Sequence, residues 1–180
     1  FCRSNGIKLR GHCLMWHAQI GKWMYQDEKG NLVSKEKLFQ NMKHHITAIM
    51  ERYKDVVYAW DVVNEAISDG GRPVMGQKPS PYRNSPLYQI AGDEFIKKAF
   101  IYAREADPNV LLFYNDYNAA DPQKRDRIYN MVKSMKEEGV PIDGIGMQGH
   151  YNIYGPSMED VDAALTKYST ICLLYTSDAA

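Results

Sequence analysis

The sequence predicts an α/β protein that forms part of a (β/α)8 barrel, and three observations lead there. Four apolar runs alternate with four amphipathic stretches in the order β, α, β, α, β, α, β, α. Each run is continuously apolar rather than alternating, the pattern of parallel strands covered on both faces. Each run also ends in a polar or aromatic cluster, where a barrel carries its reacting groups. The clusters are His12/Trp16/His17/Gln19, Asn64/Glu65, Asn115-Asp116-Tyr117-Asn118 and Gln148/His150/Tyr151. A doubly wound sheet would instead place a glycine-rich phosphate turn after its first strand, where this chain has Trp16-His17-Ala18-Gln19. A whole barrel has eight strand-helix units in about 250 residues, and four units already use up the 180 residues present, so this is half a barrel.

The first strand is expected over residues 7–16, after an Asn5-Gly6 turn. Ser34 caps a helix whose apolar positions Leu38, Met42, Ile46, Ile49 and Tyr53 recur at three- and four-residue steps and which ends near Lys54. Residues 56–63 follow as a β-branched and aromatic run, the second strand. From Ser68 to Gly92 the glycines and prolines predict a long surface loop without regular structure. Asp93 opens a helix with Ile96, Ala99, Phe100 and Ala103 on one face, stopped by Asp107-Pro108. The third strand is expected over 110–114. Asp121-Pro122 is an N-cap with Pro at the first helical position, leading Ile128, Met131, Val132 and Met135 inward up to Gly139. A fourth strand over 142–147 precedes the capping box Ser157-Met158-Glu159-Asp160 and a last helix with Val161, Ala164, Leu165 and Tyr168 inward.

Composition narrows the function. With 44% hydrophobic and 12% aromatic residues the chain can bury a core, so disorder is excluded. Lys and Arg number 22 against 22 Asp and Glu, leaving no electrostatic footprint for nucleic acid. No stretch approaches the ~20 apolar residues that span a bilayer. The opening Phe1-Cys2-Arg3-Ser4-Asn5-Gly6 has neither an initiator Met nor an apolar signal core, and reads as a start within a longer protein. Cys2, Cys13 and Cys172 lack CxxC spacing, so they read as buried thiols.

Glu65 follows an apolar strand directly, where partial desolvation can keep a carboxyl protonated for a leaving group; the alternative is a first-turn Glu at a helix N-terminus. Asn64 beside it can donate to a sugar hydroxyl. Trp16 and Tyr117 offer flat apolar faces with a polar edge, suited to a pyranose ring or to the core. His12, His17 and His150 do not have metal-ligand spacing, so no metal is expected. One of His44 and His45 packs and the other is solvated. Asp116 reads either as a second catalytic carboxylate or as a loop-capping group.

The motifs Arg10-Gly11-His12-Cys13-Leu14-Met15-Trp16-His17-Ala18-Gln19, Trp60-Asp61-Val62-Val63-Asn64-Glu65-Ala66, Tyr114-Asn115-Asp116-Tyr117-Asn118 and Asp143-Gly144-Ile145-Gly146-Met147-Gln148-Gly149-His150-Tyr151 stand in this order along the chain. Together they resemble successive barrel strands of the glycoside hydrolase family 10 endo-1,4-β-xylanases, from Phe1 to about Tyr168. The resemblance implies a retaining hydrolase of β-1,4-xylan, without cofactor, of which this chain holds about strands 3 to 6. It implies Glu65 as general acid/base and Asn64 as holder of the sugar 2-hydroxyl. It further implies His12, Trp16 and Gln19 as glycone-side binding residues, Tyr117 as an aromatic on the leaving-group side, and Gln148 and His150 as the pair orienting the catalytic carboxylates. His17, Asn115 and Asp116 fall in the same motifs as supporting residues.

The family's nucleophile is a Glu in a Thr-Glu-Leu-Asp-like motif of the seventh strand, and this sequence has no such motif. Residues 169–180 read as a tail foreign to the barrel, resembling translated sequencing adapter from Leu173 onward. The expectation is therefore a central fragment that does not cleave xylan alone. The rival readings are another retaining β-glycanase of the same clan and a carbohydrate-binding remnant without turnover. Secretion is implied by the family, with any signal peptide upstream of Phe1.

Overall fold

The structure, a computed structural model, describes residues 1–70 and 80–177. A short turn of helix, α1 (Cys2–Asn5), leads into strand β1 (Leu9–Trp16). Helix α2 (Lys35–Tyr53) returns the chain to β2 (Val57–Asn64), and α3 (Pro86–Ala91) with α4 (Glu94–Ala106) returns it to β3 (Leu111–Asp116). Helix α5 (Pro122–Glu137) precedes β4 (Gly144–Gln148), and α6 (Met158–Ser169) precedes β5 (Leu173–Ser177). All neighbours pair in parallel and the strand order is β1-β2-β3-β4-β5. Strictly sequential parallel order is barrel topology, because a doubly wound sheet reverses its order at a switch point.

The expected caps form. Ser34 Oγ accepts from Lys37 N at 3.2 Å, Asp121 Oδ1 from Lys124 N at 2.9 Å, and Ser157 Oγ from Asp160 N at 3.1 Å. Each satisfies a helix-start donor that has no intrahelical partner. Gly139 takes a φ of 77° just past α5, a conformation a Cβ would oppose.

Three features differ from the sequence reading. The glycine- and proline-rich stretch contains a helix, α3, because Ser85 Oγ caps it at 3.2 Å and Pro86 occupies a first-turn position where its missing N–H costs nothing. Residues 71–79 of that expected loop lie outside the described residues. Strand β3 runs two residues further than expected, so Asn115 and Asp116 belong to the sheet. Finally, a fifth strand follows the fourth helical unit, with Leu173 to Ser177 in register against Gly144 to Gln148.

The two faces of the sheet are chemically distinct. Outside, Leu38, Met42, Ile46 and Met50 of α2 and Phe95, Ile96, Phe100 and Ala103 of α4 are buried in one core with Val62, Leu112 and Ile145. Inside, the space is narrow and partly polar. The Arg10 guanidinium lies 4.3 Å from the Phe113 ring centre and its Nε donates to Asp61 Oδ1 at 3.0 Å. A Cβ on Gly146 would meet Asn115 Oδ1 at 2.4 Å and Arg10 Nη2 at 2.6 Å, so only glycine leaves these two groups their room.

Strands β1 and β5 each have one neighbour among the described residues, which leaves two open edges and one uncovered interior face. The isolated chain is therefore expected to elute from size-exclusion columns as associated species. A monodisperse monomer with a sharp unfolding transition would contradict this.

Candidate active site

Strand ends converge on Glu65. Trp16 Nε1, from the end of β1, donates to Glu65 Oε2 at 3.0 Å. Gln148 Nε2, from the end of β4, donates to Glu65 Oε1 at 3.0 Å and to Asn64 Oδ1 at 3.1 Å. Asn115 Nδ2, from β3, donates to the same Asn64 oxygen at 2.9 Å. His150 Nε2 lies 3.0 Å from Gln148 Oε1. Since that oxygen belongs to an amide whose NH2 is already donating, His150 carries its proton on Nε2. The Glu65 carboxyl thus receives one N–H on each oxygen and keeps further lone pairs for a ligand.

The main chain of Glu65 is held as firmly as its side chain. Its φ of 57° is in the left-handed region, rare for a residue with a Cβ and concentrated at functional sites. Glu65 N donates to Asn115 O at 2.9 Å and Glu65 O accepts from Arg83 Nε at 2.9 Å. Both peptide groups flanking the strained residue are therefore pinned.

The other residues singled out in the sequence fall in different places. His12, Trp16 and Gln19 line a cavity of about 310 Å³ together with Trp23 and His45. His12 is half exposed, with Nδ1 2.9 Å from Asp61 Oδ2. His17 stands edge-on to Trp16, with ring centres 6.2 Å apart, and lines a small crevice with Glu65 and Arg83. Burial, with Arg83 nearby, lowers its pKa and so favours the neutral ring. His45 Nε2 meets Leu14 O at 3.1 Å while His44 faces solvent, as the helical phase predicts. Tyr117 touches the site through Arg83, whose Nη2 donates to its hydroxyl at 3.1 Å. Among the described residues no group of His, Cys, Asp and Glu converges as a metal site would.

Asp116 takes neither of the two roles that its residue type alone offers. It is neither a loop cap nor open to a substrate, because β3 carries it to complete burial. Lys124 Nζ lies 2.8 Å from its Oδ1, and Tyr114 donates its hydroxyl to the other oxygen. Burial pushes its carboxyl up to about 6, the nearby Glu65 charge adds to this, and Lys124 and Tyr114 pull it back.

Five residues that the sequence reading passed over complete the surroundings: Arg10, Asp61, Asp69, Arg83 and Lys124. Asp61 accepts from Arg10 on one oxygen and meets His12 on the other. A charged residue inside an otherwise apolar strand was the available signal for the Arg10–Asp61 pair, since such a group is buried only with a partner. Lys124 shares the face of Ile128, Met131 and Met135 on α5, which marks it as inward-facing.

The hydrogen bond to Asp61 raises the His12 imidazole to about 10, against the desolvation that opposes it. A folded value above the ordinary one of about 6.5 means that the pair's stabilisation is fully present below that pH. It is lost as pH rises towards 10. NMR of the ring is expected to show His12 still protonated at pH 8 and returned towards its ordinary value by Asp61→Asn. A His12 midpoint near 6.5 in the unsubstituted protein would count against this geometry.

Residues 1–175 match Glycosyl hydrolase family 10. The chain is 60% identical to the endo-1,4-beta-xylanase/feruloyl esterase of Xylanibacter ruminicola, over 95% of this chain and 24% of that protein. It is 46% identical to endo-1,4-beta-xylanase B of Paenibacillus barcinonensis, over 95% of this chain and 49% of that one. A solved psychrophilic family 10 endo-beta-1,4-xylanase superposes with a TM-score of 0.92 at 66% identity, covering 98% of this chain and 56% of the other. A further solved structure, 36% identical with a TM-score of 0.88, is a variant in complex with xylotriose. The chain spans about a quarter of the first of these curated relatives and about half of the second, and its sheet is part of the (β/α)8 barrel of the family. Sequential parallel strands whose ends meet at Glu65, and a family match over nearly the whole length, make this chain a member of glycosyl hydrolase family 10.

Proposed function

We propose that the protein carrying this chain is an endo-1,4-β-xylanase that acts with retention of configuration, with Glu65 as its general acid/base. The observation that carries the reading is the Glu65 carboxyl at the end of β2, held by N–H donors from β1 and β4. The names of the relatives supply the substrate class, xylan and its oligosaccharides.

In the first half-reaction Glu65 gives its proton to the glycosidic oxygen as the bond to the anomeric carbon breaks. A second carboxylate attacks that carbon and forms a glycosyl–enzyme. In the second half Glu65, now a carboxylate, takes a proton from the water that releases the sugar. Asn64 has its oxygen occupied by Asn115 and Gln148, which leaves its NH2 as the group to donate to a sugar hydroxyl. Asp61 and Asp116 are each committed to cationic partners, so neither serves as nucleophile. We place the nucleophile in the remainder of the barrel, and the protein outside the cell, where a polymer is met.

The longer protein is expected to release reducing sugar from xylan in preference to mixed-linkage glucan. Glu65→Ala should lower kcat by about 10²- to 10⁴-fold. The isolated chain should release no more than its own Glu65→Ala form. Turnover by the isolated chain that depends on Glu65 would overturn the assignment of the nucleophile, and binding of xylo-oligosaccharide without turnover by the longer protein would overturn the enzymatic reading.

A further inference from the structure

Lys124 is the most deeply buried cation in the vicinity of the site, with 1% of its side chain exposed. Its ammonium faces three groups at once. Nζ lies 2.8 Å from Asp116 Oδ1, 2.6 Å from Asp69 Oδ1, and 3.7 Å from the centre of the Tyr117 ring. Asp69 carries the contact onward, because its other oxygen accepts from the Tyr117 hydroxyl and lies 3.4 Å from Arg83 Nη2. Arg83 then donates through Nε to the carbonyl of Glu65. A continuous path of charged contacts thus joins the first turn of α5 to the strained backbone of Glu65.

Stability alone gives no reason for a lysine here. A buried ion pair such as Lys124–Asp116 can often be exchanged for apolar groups of similar volume without loss. An apolar residue at 124 would fill the same space, but it would neither orient the electron-rich face of Tyr117 nor draw Asp69 inward. Both of those need the charge.

We propose that Lys124 is a positioning residue for the leaving-group side of the cleft: it sets the plane of Tyr117 and docks Asp69, which with Arg83 steadies the Glu65 backbone. The inference rests on the reading of Glu65 as general acid/base and of Tyr117 as an aromatic that meets the leaving sugar. It assigns to one buried cation the alignment of acid and sugar platform, and so a part in substrate preference.

The test uses the longer protein with Lys124→Met, which keeps the volume and removes the charge, and with the double substitution Lys124→Met/Asp116→Asn. The double form removes the buried carboxylate that the single one leaves unpaired. The substrates are a xylo-oligosaccharide with sugars on both sides of the cut and an aryl β-xylobioside, which has no leaving sugar and little need of acid. The oligosaccharide should lose about tenfold or more in kcat/KM in both forms, as a misplaced reacting pair does, while the aryl substrate stays within about twofold of the unsubstituted protein. The double form should regain the thermal midpoint without regaining the oligosaccharide rate. Parallel loss on both substrates, or recovery of the oligosaccharide rate in the double form, would show that Lys124 only neutralises Asp116. If the unsubstituted protein cleaves neither substrate, the functional reading fails by itself. The positioning claim is then read from the Tyr117 ring resonances, which must move in the double form and would refute it by staying put.

Discussion

A single side-chain amide ties the site together. Gln148 Nε2 is shared between Asn64 Oδ1 and Glu65 Oε1, so its two N–H groups bind the end of β4 to the last residue of β2 and the one that follows it. That commitment leaves Gln148 Oε1 as an acceptor and so fixes the proton of His150. It also helps to settle the orientation of Asn64, whose oxygen takes a further donor from Asn115 on the strand between. Each member of this network is set by its neighbour. Such a connected network favours one arrangement over several, and a catalytic carboxyl benefits from being held before substrate arrives.

The barrel scaffold makes that network geometrically available. Parallel strands in sequential order bring residues from four strand ends to one rim, although they are up to 132 positions apart in the chain, as Trp16 and Gln148 are. Glycine at 146 lets Asn115 and Arg10 close over β4, which keeps the interior narrow enough for direct contact. The helices hold the other face with apolar side chains, so rigidity is supplied from outside and polarity is confined within. The strain at Glu65 is tolerated because both of its flanking peptide groups have partners from other segments.

Much of this was legible in the residues, and the limits have physical causes. Continuous apolar runs located β1 to β4, and Ser34, Asp121 and Ser157 marked helix starts because a side-chain oxygen before an amphipathic stretch has a defined role there. The four clusters and the resemblance they carry single out His12, Trp16, Gln19, Asn64, Glu65, Tyr117, Gln148 and His150, of which Trp16, Asn64, Glu65, Gln148 and His150 form one contact network. Arg83 was not legible, since it lies in a proline-rich stretch where no periodicity says which way a side chain points. The burial of Asp116 was not legible, because a strand end cannot be fixed to within two residues from propensity, and those two residues separate a solvated loop from the core. Lys124 was legible in principle from its phase on α5, but a first-turn lysine is ordinarily read as solvated.

The claim at the centre of this account is that Glu65 stands where it can protonate a glycosidic oxygen. It is tested most directly by a crystal structure of the longer protein carrying Glu65→Gln, with a xylo-oligosaccharide bound across the cleft. The account predicts a glycosidic oxygen about 2.6–3.2 Å from the side chain at position 65, with Asn64 donating to a hydroxyl of the adjoining sugar. An oligosaccharide bound elsewhere, or with every glycosidic oxygen beyond hydrogen-bonding reach of position 65, would contradict it.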